Sequence, residues 1–241
     1  MLVLGLPAVA FAEDPQPLGE GAIALANEVR DLPVSSTVRL LLLLTALTFL
    51  PAMVLVMTPF TRFVVVFAVL RQAMGLQQSP PNQVMVGLAL FLSLLLMQPT
   101  LDQVKEDALS PFMAGEMEAG DALEKGMVPM RKFMLRNVRR TDLAAVLKMG
   151  RSGRPDTLEE ISTPTIVSAF VLSELKTALT IAVKVYLPFL VIDIVVANVL
   201  LAMGMMVLPP VVISLPFKLL LFVLVDGWNL LVQSMAAGMG V

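Results

Sequence analysis

The chain has no cysteine and no histidine among its 241 residues. That excludes disulfide staples, thiolate metal sites, cysteine nucleophiles and every histidine-dependent triad or zinc centre. Charge is scarce too: 15% of residues are Asp, Glu, Lys or Arg, against about 25% in an average soluble domain. A net charge of −2 offers nucleic acid nothing to bind. Hydrophobic residues make up 57%, a composition suited to a membrane or a large apolar assembly. A carboxylate-based enzyme would need partner groups that the apolar segments barely supply. Such an enzyme stays open at this point, while no cofactor or metal is expected.

What charge there is lies unevenly. Of the 36 charged residues, 21 fall between Asp102 and Glu160. Residues 1–12, MLVLGLPAVAFA, form an apolar run ending in A-x-A, the pattern of a cleaved signal peptide. Residues 13–38 mix acids with Pro, Gly and Ser and suggest an exported linker. Between Arg39 and Arg62 stand 22 uncharged residues, where about 20 suffice to span a bilayer. Pro51 is expected to kink that segment or leave a carbonyl free for a neighbour, and the run from Arg62 to Arg71 to prolong it as one rod. A turn at 75–83, GLQQSPPNQ, and a second apolar segment at 84–97 complete a first hairpin over 39–101.

Residues 102–160 form an exported, periplasmic region, acidic at first and then basic. Within it Val128, Phe133, Leu135, Val138, Leu143, Val146 and Leu147 recur at helical spacing, which predicts amphipathic helices. A second apolar hairpin fills 161–241, its arms interrupted by Pro188 and Pro216. The fold class is therefore all-α: four long, kinked apolar segments in membrane-associated hairpins, plus the small exported region. Arg62 and Arg71 flank the first turn and place it in the cytoplasm, as topological or lipid-headgroup anchors. Residues 102–160 and the C-terminus then lie outside.

Six ionisable residues interrupt the second hairpin: Glu174, Lys176, Lys184, Asp193, Lys218 and Asp226. An unpaired charge at membrane depth costs at least about 2.5–3.5 kcal/mol. Helix geometry forbids pairing within a helix. Glu174 and Lys176 point about 200° apart, Lys184 and Asp193 lie more than two turns apart, and Lys218 and Asp226 are separated by about 12 Å of rise. Their partners must sit on other helices, on other subunits or in water. An obligate complex and a secondary transporter with a charged path both satisfy that condition.

The segment PFKLLLFVLVDGW, residues 216–228, resembles the signature of the flagellar biosynthetic protein FliP family. SAFVLSELKTALTIA, residues 168–182, is similar to the family's second signature, with Leu179 in place of the usual Phe, Ala182 in place of Gly, and a lesser departure at Ser168. The first hairpin, from FTRFVVV to LLLMQP, and the stretch MAGEMEAGDALEKGMVPMRKFML also resemble family members. The family includes relatives in virulence injectisomes, which give the alternative placement. The resemblance implies a pentameric ring joined by FliQ- and FliR-like proteins in the core export gate of type III secretion. FlhA- and FlhB-like proteins work beside it, unfolded flagellar subunits pass through it, and it has no catalytic site. It also implies tilted hairpins assembled into a helical cone, largely raised out of the bilayer so that not every segment spans it, at the inner membrane and the flagellar basal body. The six charges would then bridge subunits. The loop of Met203, Gly204, Met205, Met206 and Val207 would seal the lumen as a methionine gasket, with Val207 where Met is common. Pro216, Gly227 and Trp228 would serve packing and the turn.

Overall fold

The computed structural model describes residues 36–76, 79–150, 157–158, 160–205 and 209–239. The expected signal peptide and nearly all of the linker lie outside these residues. Among the described residues the secondary structure is wholly helical. The order is α1 (Ser36–Val56), α2 (Phe60–Ala73), α3 (Asn82–Val104), a π turn (Lys105–Leu109), α4 (Ser110–Met113), α5 (Ala119–Asn137), α6 (Arg140–Met149), α7 (Thr163–Ala202), α8 (Pro210–Leu224) and α9 (Gly227–Ala236).

The first apolar segment is not one rod. It stays helical through Pro51 and breaks at Met57–Thr58–Pro59, where Pro59 has no N–H to continue the ladder. The Thr58 hydroxyl closes the gap, donating to the Leu55 carbonyl at 2.8 Å and accepting from the Phe60 N–H at 3.3 Å. Beyond α3 the helix does not stop at residue 101 either. It runs on through the π turn to Met113, a 32-residue rod with an apolar membrane-length stretch. Pro111 cannot donate to the carbonyl four residues back, and the widened turn just before it absorbs that mismatch.

The longest element is α7, 40 residues and about 60 Å, twice the hydrocarbon thickness of a bilayer. It passes through Pro188, and α8 passes through Pro216. The break in the last arm falls instead at Asp226, whose φ of 48° and ψ of 54° turn the chain by 63° into α9. Among the described residues two helices are long and apolar enough to cross a membrane, α8 and α9 form a bent pair, and the first segment is split into α1 and α2. Gly227 is required at the bend: a Cβ there would stand 2.3 Å from the Phe222 ring. That ring also meets Trp228 edge-on at 5.5 Å and Phe189 at 6.3 Å.

Two hydrophobic cores flank α7. One gathers Phe63, Val66, Phe67 and Leu70 of α2 with Ala178 and Phe189 of α7, Phe222, Leu231 and Met235. The other joins Met57 and Met97 to Met130, Phe133 and Met134 of α5, Leu143 of α6, and Ile166 and Phe170 of α7. The amphipathic pattern of the middle region meets this second core through Phe133, Leu135, Val138, Leu143, Val146 and Leu147. Val128, expected on the same face, is exposed.

Candidate functional site

Three polar nodes hang on α7, each joining it to a different helix. In the first, Arg62 and Glu174 are both buried to 1% exposure. Arg62 Nε donates to Glu174 Oε2 at 2.7 Å and Nη2 to Oε1 at 2.5 Å, a two-pronged ion pair. Its Nη1 donates to the Met235 carbonyl at 3.0 Å, satisfying an oxygen that the end of α9 leaves open. One guanidinium therefore ties α2, α7 and α9 together.

The second node joins α6 to α7. Asp142 accepts from Lys176 Nζ and, at 2.9 Å, from the Ser173 hydroxyl. Ser173 Oγ accepts in turn from the Arg139 N–H at 3.1 Å. The Lys176 hydrogen bond holds the Asp142 carboxyl below the usual carboxylate range, with Ser173 assisting, against burial that pushes it up. In the third node Lys218 Nζ donates to Asp193 Oδ2 at 2.6 Å and to the Ala73 carbonyl at 2.9 Å. The ammonium thus sits on the carbonyl end of α2, where the helix dipole favours it. The Ser214 hydroxyl donates to Asp193 Oδ1 at 2.5 Å.

Helix geometry left other helices, other subunits or water as the setting for Glu174, Lys176, Asp193 and Lys218, and these contacts are of the first kind. Their partners are on other helices of the same chain. Arg62 is no headgroup anchor, since it lies at the centre of a core. Arg71 donates to Asn82 Oδ1 at 2.5 Å, across the turn between α2 and α3. Two of the six charges remain. Lys184 and Asp226 are exposed, and neither has a charged partner among the described residues. Arg62 and Asp142 are the members of these nodes that composition missed. Each had a signal: Arg62 is a lone cation between two apolar runs, and Asp142 a lone acid in a basic one.

The methionine loop caps the far end of α7. The Gly204 N–H donates to the Leu201 carbonyl and the Met205 N–H to the Leu200 carbonyl, both at 3.0 Å. With Gly204 at φ 73°, these bonds make a Schellman turn, which a side chain at that position would strain. Met203 projects outward, 66% exposed. Met206 and Val207 lie outside the described residues. Beneath the loop an apolar groove of about 560 Å³ opens between α7 and α8, lined by Val191, Val195, Val199, Met203, Ile213 and Phe217 among others. Pro216, nearly two turns along α8, stands at the head of the segment that ends in Gly227 and Trp228.

A model of the FliP family matches residues 43–235, most of the chain and all three nodes. The chain belongs to the FliP family. Flagellar biosynthetic protein FliP of Bacillus subtilis (strain 168) is 48% identical over 202 residues, covering 84% of this chain and 91% of that protein. The FliP of Cereibacter sphaeroides is 51% identical over 201 residues, 83% of this chain and 67% of its own length. The FliP of Caulobacter vibrioides is 43% identical over 239 residues, 98% and 87% of the two chains. All three share one description, as flagellar biosynthetic proteins. The FliP match covers the long apolar rods whose length and composition suit a membrane.

Proposed function

We propose that this chain is a core subunit of the flagellar type III protein export gate. Copies form a pentameric ring with FliQ- and FliR-like proteins, and unfolded flagellar subunits pass along its axis. FlhA- and FlhB-like proteins work beside it, in the inner membrane at the flagellar basal body. Its work is passage and closure, with no reaction catalysed. The observation that carries this reading is likeness to flagellar biosynthetic proteins over more than four-fifths of the chain.

The loop of Met203, Gly204, Met205, Met206 and Val207 supplies the seal. Its support is physical. An unbranched thioether side chain repacks around passing chains of varied shape, and a ring of apolar side chains excludes water and ions by dewetting. The Schellman turn at Gly204 ends α7 abruptly and leaves Met203 projecting from the hairpin tip. Replacing Met205 and Met206 together by Ala should let small ions leak through the assembled gate. Planar-bilayer conductance of the purified complex measures this, and background conductance in an intact complex would remove the seal from the proposal.

A further inference from the structure

Lys184 and Asp226 are left over from the pairing that satisfies every other charge on α7, α8 and the bend. Each stands on apolar surface. Lys184 lies near the middle of α7, with exposed Leu187 and Val191 one and two turns along the same face. Asp226 accepts from Asn229 Nδ2 at 3.1 Å and is flanked by exposed Leu224 and Val225. An ammonium and a carboxylate on apolar surface that a membrane or partner covers each demand an opposite charge.

The hairpin puts the two at one height. α7 and α8 run antiparallel, with register fixed at two points: Asp193 against Lys218, and the Phe189 ring against Phe222. From Phe189 back to Lys184 is five residues, about 7.5 Å of rise. From Phe222 on to Asp226 is four, about 6 Å. The two charges are thus level along the hairpin, yet they make no ion pair within it. Rotation about an axis close to the hairpin's own direction preserves height, so in such a ring level groups on one copy meet level groups on the next.

The surfaces below them match as well. Val212, Leu220 and Val223 form an exposed stripe along α8 that ends at Asp226. By the same register, this stripe spans the heights of Leu187 to Val199 on α7, the face that carries Lys184 down to the apolar groove. We infer that the α8 stripe of one copy packs on the α7 face of the next, with Asp226 closing on the neighbour's Lys184. The inference rests on the ring proposed above and names its contact.

The absence of native cysteine makes the test direct. Two differently tagged full-length chains, one with Lys184→Cys and one with Asp226→Cys, are co-expressed, and their membranes treated with a short bis-maleimide. A two-chain product carrying both tags is expected, far stronger than when both chains carry the same substitution. Equal yields would overturn the contact. So would the absence of product while native mass spectrometry of the unsubstituted chain still shows a homo-oligomer. If the unsubstituted chain is only monomeric, the ring itself fails. A charge cycle is independent of crosslinking: Lys184→Met or Asp226→Asn alone should reduce recovered oligomer by about tenfold, and the double variant should restore most of it. Additive losses, or none, would overturn the pairing.

Discussion

The two halves of α7 live in different surroundings. Over its first half Ile166, Ala169, Phe170, Ser173, Glu174 and Ala178 are all buried, and two of the three polar nodes sit there. Past Ala182 only Phe189 and Leu200 are buried among the described residues, while Val191, Val195, Val199 and Leu201 face outward. One continuous helix is thus a core element at one end and an open apolar surface at the other. In the first half, charge marks the interior of the fold. In the second, apolar side chains stand exposed, on the surface that the proposed contact between copies would cover.

The sharpest way to break this contrast is at Arg62. Arg62→Ala leaves Glu174 buried without its partner and is expected to cost about 3–5 kcal/mol, read as a lower unfolding midpoint of the chain in detergent. Replacing Arg62 and Glu174 together by Leu should recover much of that loss. A neutral single substitution would mean that the first half does not depend on its node.

The second node gives a smaller, pH-dependent effect, on the order of 1 kcal/mol, because Lys176 keeps half its side chain in water. The folded Asp142 carboxyl is held below its ordinary value of about 3.9. Its contribution is therefore fully present above that value and disappears as pH falls through the lower, folded one. The stability advantage of the native chain over Asp142→Asn should be constant from pH 7 to pH 5 and shrink below about 4. An advantage that grew on acidification would contradict the assigned hydrogen bonds.

The smallest effect belongs to the open half. Leu201→Ala should change the stability of the isolated chain by no more than about 0.5 kcal/mol, since the side chain is 61% exposed. Calorimetry in detergent measures it. A loss of several kcal/mol would show that this end is core after all.

Much of this organisation was visible in the residues. Apolar run lengths located the rods, and helical spacing found the face of the middle region that meets the second core. All six charges of the second hairpin stood out by their setting. Helix geometry could only eliminate partners within a helix, however. It could not select Arg62 for Glu174, 112 residues away, or Asp142 for Lys176, 34 residues away. Those choices are made by tertiary packing, so an unsatisfied pattern in sequence resembled a demand for other subunits. The breaks were misplaced for a related reason. Proline signals an interruption, but Pro51, Pro188 and Pro216 stay within helices, because a long helix tolerates one lost hydrogen bond. The decisive bend falls at Asp226, next to Gly227, where crowding against Phe222 leaves room for no side chain. The Gly204 turn was legible because the αL position that ends α7 favours glycine.

The Arg62 node also sets a timetable. Its three parts arrive on the ribosome far apart: Glu174 follows Arg62 by 112 residues and Met235 by 173. At about 5–20 residues per second, the carboxylate appears some 6–22 s after the guanidinium and the last carbonyl some 9–35 s after it. Until then α2 carries a bare cation that must stay hydrated and cannot settle into an apolar interior. The earliest charged residue of the core therefore waits longest for the last of its partners, and its three-helix node is complete only once synthesis has reached the final helix.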